Sequence, residues 1–224
     1  MIKDGIICKD INGVVHLHKH GKKIKYKPWL SDLFSVFYDS IMKKSVFPNK
    51  LQASMDNHLK FLKEKLNNVH NSCILELGTG SGNLSDIVSC DNKYVGLDIS
   101  EGLLKIASKR FKKEGFNKPE FYIGSADDLP FQDNIFDICL CNLSLNFFKD
   151  TDIVIKEIKR VLKNKGVFIC SVPIPERNKN DSIIRGNLYT QNELKDIFIR
   201  NGFIFTLYNF INGAILYFKA EKID

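Results

Sequence analysis

Residues 73–83, which read C-I-L-E-L-G-T-G-S-G-N, constrain the fold of this chain more than any other stretch. The first five of them are apolar except for Glu76, and such a run is short enough to be a buried parallel strand. Three glycines follow at alternate positions and suit a tight turn in which bare backbone approaches a ligand. Residues 84–88 then have the pattern of the first turns of a helix. A strand, a glycine turn and a helix in succession would point backbone N–H groups at a ligand above the turn.

The spacing of these glycines distinguishes between two kinds of ligand. The dinucleotide fingerprint G-x-G-x-x-G holds a pyrophosphate. Here the third glycine comes one residue early, and Asn83 occupies the position that the fingerprint requires. Glu76 precedes the first glycine by two residues, where its carboxylate would repel a pyrophosphate and suits a cation. An NAD-type site and a purely structural glycine turn remain the alternatives.

From residue 73 onward, strand and helix patterns alternate along the chain. The strand patterns cover residues 73–77, 94–98, 121–123, 136–141 and 167–172, and the helix patterns cover 102–111, 152–162 and 191–200. Two further strand patterns, 203–209 and 214–219, flank Asn212 and Gly213 and should therefore pair antiparallel. The sequence predicts an α/β fold, with a Rossmann-like, doubly wound sheet of seven strands that is mostly parallel and ends in a C-terminal antiparallel hairpin.

The N-terminal part has a different pattern. Residues 5–26 contain two short alternating runs around Asn12 and Gly13, which predicts a hairpin. Apolar residues at helical spacing predict helices over residues 29–46, with a break at Pro48, and over residues 51–69. We therefore divide the chain into residues 1–70, a basic hairpin with a helical cap over the site, and residues 71–224, the ligand-binding core.

The positive charge is concentrated in this N-terminal part. The chain has 33 basic and 26 acidic residues, a net charge of +7, and residues 1–70 hold 13 of the basic and 6 of the acidic ones. The densest group is Lys19, Lys22, Lys23, Lys25 and Lys27. Such a patch can attract an anionic substrate, RNA or a membrane surface. A solvated surface without a partner is the alternative.

Several features favour a cytoplasmic protein. No apolar run approaches the roughly 20 residues of a membrane span, and the first residues lack the apolar core of a signal peptide. The six cysteines show no C-x-x-C spacing, which indicates reduced thiols.

The hairpin contains side chains that could bind a metal ion. His16, His18 and His20 would share one face of a strand, and Cys8 lies nearby in the sequence. No standard zinc-ligand spacing supports this arrangement. We therefore predict no metal.

Two motifs resemble those of class I S-adenosylmethionine (SAM) methyltransferases. The pattern Glu76-x-Gly78-x-Gly80-x-Gly82 is similar to motif I of that family. Asp98 ends the second predicted strand and matches the motif II acid, which accepts hydrogen bonds from the ribose hydroxyls.

Further runs are similar to the type 11 subfamily. Residues 124–131 (G-S-A-D-D-L-P-F), followed by F-D at 136–137, resemble its G-D-A-x-x-L-P-F and F-D run, with Ser125 in place of the adenine-binding acid. Residues 141–148 resemble motif IV, with Asn146 where many relatives have histidine. Tyr38 and Asp39 resemble the Y-D element of ubiquinone/menaquinone-type methyltransferases. The resemblance covers roughly residues 37–220.

The resemblance implies SAM as the cofactor and S-adenosyl-L-homocysteine as its product. It implies a cofactor site made of Tyr38, Glu76, Gly78, Thr79, Gly80, Gly82, Asp98, Ile99, Ser125, Ala126, Asp127, Asn142 and Leu143. The implied activity is methyl transfer to a small-molecule acceptor by in-line displacement. The motifs do not identify the acceptor or the accepting atom.

No residue stands out as a general base. The candidates for catalysis are Tyr38, Asp39, Asn146 and Tyr189, and His58 is a further candidate base. Residues 173–189 would lie over the site, and their basic side chains, Arg177, Lys179 and Arg185, could meet an anionic acceptor. An RNA methyltransferase that uses the basic N-terminal part and a non-catalytic SAM-binding protein remain the alternative functions.

Overall fold

The computed structural model describes residues 1–26, 35–179 and 182–223. The strands are β1 (Ile6–Ile11), β2 (Val14–Lys19), β3 (Lys22–Lys23), β4 (Cys73–Leu77), β5 (Lys93–Asp98), β6 (Glu120–Ile123), β7 (Phe136–Asn142), β8 (Leu162–Pro173), β9 (Phe203–Leu207) and β10 (Ile215–Lys222). The α-helices are α1 (Tyr38–Ile41), α2 (Met55–Leu66), α3 (Glu101–Lys113), α4 (Thr151–Val161) and α5 (Gln191–Arg200). A 3₁₀ turn (Ser35–Phe37) precedes α1, and a π-helix (Met42–Lys50) follows it.

All strands join one sheet in the order β1-β2-β6-β5-β4-β7-β8-β10-β9, with β3 paired to β2. The five strands from β6 to β8 run parallel, and β10 and β9 close the sheet antiparallel. The central strands are apolar because helices cover both of their faces. The doubly wound, mostly parallel sheet with its C-terminal antiparallel hairpin is confirmed.

The sheet has ten strands in the described part of the chain rather than the seven predicted. The N-terminal hairpin extends it, since Val15 of β2 pairs in parallel with Tyr122 of β6. Val14 and Leu17 are buried, so the hairpin packs on both faces of the sheet. It also covers the edge of β6, which would otherwise be unpaired. The predicted hairpin of residues 1–70 is therefore part of the sheet, and the cap formed by the rest of these residues stays a prediction.

Two apolar layers flank the sheet. On one face, α2 and α3 contribute Phe61, Leu62, Leu66, Leu104, Ala107 and Phe111 to a single buried cluster. On the other face, α4 and α5 contribute Val154, Ile155, Ile158, Val161, Leu194, Ile197 and Phe198 to a second cluster. Thr190 and Glu193 form a capping box at the start of α5.

The helix predicted after the glycine turn is absent. Residues 84–88 form turns, with hydrogen bonds from Ser85 to Gly82 and from Ile87 to Leu84 over three residues. Ser85 and the glycines before this segment favour turns, because the serine side chain and the glycine backbone compete with helical hydrogen bonding. Its backbone N–H groups therefore do not form the N-terminus of a helix.

The N-terminal helix also differs from its prediction. Residues 29–34 lie outside the described residues. The helix passes through Pro48 as a π-helix, and the expected apolar positions Phe37 and Ile41 are 63% and 44% exposed. The second helix is shorter than residues 51–69, because Ser54 caps α2 and Asn67 ends it.

Candidate functional site

The glycine turn follows β4 and brings its backbone close to two other elements. Gly78, Gly80 and Gly82 all have positive φ, at 67°, 56° and 80°. A Cβ on Gly78 would lie 2.3 Å from Ser144 Oγ, and one on Gly82 would lie 2.8 Å from Ala107 Cα. At Gly80 the nearest atom would be 3.8 Å away. Packing therefore requires the outer glycines, whereas the middle one leaves space above the turn.

Asp98 ends β5 beside this turn. Its Oδ2 accepts a hydrogen bond of 2.8 Å from the Gly80 N–H, and its Oδ1 accepts one of 2.8 Å from the Ser100 N–H. The acid predicted to hold the ribose therefore lies next to the glycine turn. It also fixes the backbone of that turn. Ile99 follows it directly, at the start of the loop to α3.

Glu76 is a buried carboxylate beneath the turn, with 3% of its surface exposed. The Tyr94 hydroxyl donates to its Oε2, and Asn142 Nδ2 donates to its Oε1 at 3.1 Å. Burial raises the pKa of Glu76 to about 7, and these hydrogen bonds only partly oppose that rise. Within the described ranges, Glu76 forms no salt bridge with a basic side chain. A buried carboxylate that meets neutral donors alone suits a cationic group of a ligand.

A cavity lies between the glycine turn and the N-terminal helices. The core contributes Glu76, Gly78, Thr79, Gly80, Ser81, Asn83, Leu84, Asn142 and Leu143. The N-terminal helices contribute Tyr38, Met42, Phe47, Met55, His58, Leu59 and Leu62. One wall is therefore polar and the other is mostly apolar. The predicted residues Tyr38, Glu76, Asn142 and Leu143 meet here, with Thr79 and two of the three glycines.

Tyr38 stands against Gly80 in the wall of this cavity. Burial raises its pKa to about 12, and the negative charges of Asp98, Asp39 and Glu76 add to the effect. A phenol with this pKa is protonated at neutral pH. Tyr38 can therefore donate a hydrogen bond into the cavity, and it is poorly suited to act as a general base.

Asp39, the neighbour of Tyr38, connects α1 to the glycine turn and α3. It accepts a hydrogen bond of 2.5 Å from the Ser81 hydroxyl and forms an ion pair with Arg110. Arg110 also donates to Asn83 Oδ1 at 2.9 Å. Both carboxylate oxygens of Asp39 thus have partners, so this network holds α1 in place and does not present a free base.

Two other candidates for catalysis lie outside the cavity wall. Asn146 is buried, and its Nδ2 donates to the Arg185 carbonyl at 2.7 Å, while the Asn187 N–H donates to its carbonyl at 2.7 Å. Tyr189 packs against the apolar cluster that contains α4 and α5. In the described part of the chain, these contacts hold both residues in the fold, and their role in catalysis stays a prediction.

The segment that would receive the adenine lies after β6. Tyr26 lies close to the backbone of Ser125. Ala126 is 2% exposed, and Asp127 is exposed. Ser125, Ala126 and Asp127 do not line the cavity, so their contact with the cofactor remains a prediction.

Sequence reasoning assigned no individual role to several residues of the site. Met55, Leu59 and Leu62 follow the spacing of one helical face together with His58, which predicted α2 as part of the cap but did not show which of its side chains line the cavity. Tyr94 and Arg110 gave no sequence signal, because their partners Glu76 and Asp39 lie 18 and 71 positions away.

The described residues contain no group of three or more His, Cys, Asp or Glu side chains placed to bind a metal ion. His16 instead packs in the interior, 1% exposed, with Nε2 3.8 Å from Glu101 Oε1. The zinc alternative at the hairpin therefore has no support. Among the helices in the described part of the chain, none is long and apolar enough to cross a bilayer.

The comparisons with known proteins agree with this geometry. The family described as "Methyltransferase domain" matches residues 75–170, which include most of β4, the glycine turn and β7. The demethylmenaquinone methyltransferase of Lactococcus lactis is 40% identical over 101 residues, which are 43% of this chain and 40% of the relative. That of Thermotoga maritima is 32% identical over 158 residues, 68% of this chain and 66% of the relative.

The chain thus spans between about two fifths and two thirds of these relatives. A solved SAM-dependent methyltransferase from Aquifex aeolicus has the same fold, with a TM-score of 0.63 and 18% identity. That similarity covers 82% of this chain and 98% of the other. With motif I on the glycine turn and the motif II acid beside it, the chain belongs to the type 11 family of class I SAM-dependent methyltransferases.

Proposed function

We propose that this protein transfers a methyl group from SAM to a small, largely apolar acceptor of the quinone type. The cavity carries the proposal, because its polar wall fits the cofactor and its apolar wall fits a ring system. The named substrate of the curated relatives, demethylmenaquinone, is a quinone. When bound, SAM supplies an activated methyl group on a sulfonium.

The residues present fit that cofactor. Glu76 offers a buried carboxylate without a cationic partner in the described part of the chain, which suits the ammonium of SAM. Gly80 leaves space for a ligand above the turn, and Asp98 lies beside it for the ribose hydroxyls. Asn142 and Leu143 would border the methionine part.

The protein's contribution to catalysis is alignment and the exclusion of water. Tyr38, protonated at neutral pH, orients a polar group of the acceptor by donating a hydrogen bond. Met42 and Phe47, in the same wall of the cavity, contact the apolar part of the acceptor. A general base is required only when the acceptor must lose a proton during attack.

The cavity favours a neutral acceptor over an anionic one. None of its described lining residues is Lys or Arg. Arg177, which could have met an anion, donates to the Ile215 carbonyl at 2.8 Å. Lys19, Lys22 and Lys23 lie on the hairpin, away from the lining, so the RNA alternative receives no support from the cavity.

The test measures binding and turnover with the purified full chain. Calorimetry should show binding of SAM and S-adenosyl-L-homocysteine but not of NAD. Deuteriomethyl-labelled SAM should then label reduced demethylmenaquinone with a short side chain, and mass spectrometry would locate the label. Labelling of RNA with a steep loss at higher salt would support the RNA alternative instead. Tight SAM binding without turnover on quinols, phenols, amines and RNA would indicate a non-catalytic protein.

A further inference from the structure

His58 lies in the first turn of α2 and lines the cavity from its apolar wall. It is 4% exposed, so its ring has left bulk water. Its Nδ1 is 3.0 Å from the hydroxyl of Tyr217 on β10. That hydroxyl also meets Asn212, which gives a buried chain of three side chains that ends at the cavity.

The orientation of the Asn212 amide determines which atom donates in each hydrogen bond between these three side chains. The Ser54 N–H donates to Asn212 Oδ1 at 2.9 Å, and Asn212 Nδ2 donates to the Ser54 carbonyl at 2.9 Å. Because a backbone N–H can only donate and a carbonyl can only accept, the amide cannot be flipped. The second proton of Nδ2 therefore points to the Tyr217 hydroxyl, 3.2 Å away.

The Tyr217 hydroxyl accepts this bond and has one proton of its own to donate. Its other partner is His58 Nδ1, so that proton belongs to the bond between them. Burial lowers the pKa of His58 to about 4, and the ring is neutral at physiological pH. A neutral imidazole that accepts at Nδ1 carries its proton on Nε2.

Nε2 has no hydrogen-bond partner among the described residues. It is absent from the polar atoms that are completely buried without a partner, so it keeps some exposed surface. We propose that His58 Nε2–H donates a hydrogen bond to an oxygen of the molecule bound in the cavity. This inference rests on the proposed function, which provides two sources of such an oxygen. One is the carboxylate of SAM, and the other is a carbonyl or hydroxyl oxygen of the acceptor.

The buried Nε2–H of His58 therefore selects for ligands that place an oxygen next to it. A ligand without an oxygen at this position leaves the donor unsatisfied, which costs more than an ordinary hydrogen bond contributes. His58 is thus a binding residue that donates, and the general base considered from the sequence is not its role. Tyr217 and Asn212 position it from behind.

The first test needs no ligand and no turnover. Nitrogen-15 NMR of the ligand-free protein, labelled in histidine, should show Nδ1 of His58 unprotonated and Nε2 protonated. Tyr217→Phe should weaken this preference, because the proton that defines it is removed. A protonated Nδ1 in the wild-type protein overturns the inference and leaves the proposed methyl transfer intact.

The second test compares two substitutions that separate the ring nitrogens. The amide of His58→Gln reaches the position of Nε2, whereas that of His58→Asn is too short and can only meet Tyr217. Exposed His70, which pairs with Asp91, provides the control His70→Asn. Thermal unfolding of each variant confirms that it folds.

If the oxygen belongs to SAM, His58→Asn should weaken the binding of SAM about tenfold, the equivalent of 1.4 kcal/mol. It should leave binding of decarboxylated SAM unchanged. If the oxygen belongs to the acceptor, cofactor affinity stays constant and KM for the reduced demethylmenaquinone rises about tenfold. In both cases His58→Gln should retain most of the effect of the wild-type residue. Equal cofactor affinity and equal KM in wild type and His58→Asn would overturn the proposal.

Discussion

Glu76 determines how the ligand-free site responds to pH. Its pKa of about 7 in the folded protein lies above the value of 4.5 for an exposed glutamate, because burial opposes its charge. Between these values the folded state binds more protons than the unfolded state, so stability falls as pH rises. The contribution is fully present below about pH 4.5 and is lost as pH passes through 7.

Glu76→Gln should therefore stabilise the ligand-free protein at pH 8 by about 1–3 kcal/mol. It should also flatten the dependence of stability on pH between 5 and 8. The same change should weaken SAM binding, because the ligand's ammonium loses its carboxylate. Urea unfolding across this pH range measures the first effects, and calorimetry measures the last. Exposed Glu64→Gln is the control and should change neither. A pH profile that stays as steep in Glu76→Gln would show that another group titrates.

Asp98 combines a predicted ligand contact with an observed structural one. Asp98→Ala should weaken SAM binding by on the order of 2–3 kcal/mol, because bonds from the ribose hydroxyls to a carboxylate are charge-assisted. The substitution also frees the Gly80 N–H, so Asp98→Asn, which keeps one acceptor oxygen, separates the two effects. Calorimetry with SAM measures both variants, and exposed Asp86→Ala serves as the control. Unchanged affinity in Asp98→Ala would rule out the ribose assignment.

At the scale of elements, the question is what holds α1 over the glycine turn. Asp39 joins it to Ser81 and to Arg110 of α3. The side chains of Asp39 and Arg110 are 31% and 36% exposed, so water screens their attraction. We expect a coupling energy of about 1 kcal/mol between them, which helps to hold α1 over the glycine turn.

Asp39→Asn and Arg110→Gln should each increase the dissociation rate of SAM several-fold, and the double variant should add little more. Hydrogen exchange of residues 35–50 should become faster in the same variants, because α1 loses its connection to the turn. Stopped-flow dissociation and exchange mass spectrometry measure these effects. Lys43→Gln breaks an exposed ion pair between the π-helix and Asp56 of α2 and is the control. Additive effects of the two substitutions would mean that the pair does not act as a unit.

The elements that sequence could predict are those whose signals are local. The run of β4, its three glycines and Asp98 lie within 26 residues of one another, and all occupy their predicted positions. The Asn212 amide, in contrast, meets Ser54 across 158 positions, and no local pattern encodes that contact. Asn212 and Gly213 read as a hairpin turn. They also pack closely against the loop before α2, because a Cβ on Gly213 would lie 2.2 Å from the Leu51 carbonyl oxygen.

Predictions of helices failed where short-range competition decides. The segment after Gly82 has the apolar residues of a helix, but its serines and the glycines before it produce turns. The π-helix through Pro48 has no sequence signature that we can name. Burial of Phe47, which is 2% exposed, shows which face that segment turns to the core.

At the scale of the whole molecule, the excess charge and the cavity occupy different places. β2 runs parallel to β6, so its end and β3 lie at the same edge of the sheet as the glycine turn. Lys22 and Lys23 form β3 and are exposed. They lie beyond β6, outside the lining of the cavity. Their effect on a ligand must therefore be long-range attraction, which salt screens within about 10 Å at 0.1 M.

This arrangement gives a test of what the basic hairpin does. Replacing Lys22, Lys23 and Lys25 with Gln should leave SAM affinity unchanged, because none of them reaches the cofactor wall. With a neutral quinol acceptor, kcat/KM should also stay the same at 20 mM and at 300 mM salt, whereas weak binding of RNA at low salt should fall. Steady-state kinetics and filter binding measure these quantities, and Lys60, Lys63 and Lys65 on α2 provide a matched triple substitution elsewhere. If the hairpin variant alone loses acceptor capture at low salt, and the loss disappears at high salt, the acceptor is anionic. The hairpin then attracts it electrostatically, as the charge distribution of the sequence first indicated.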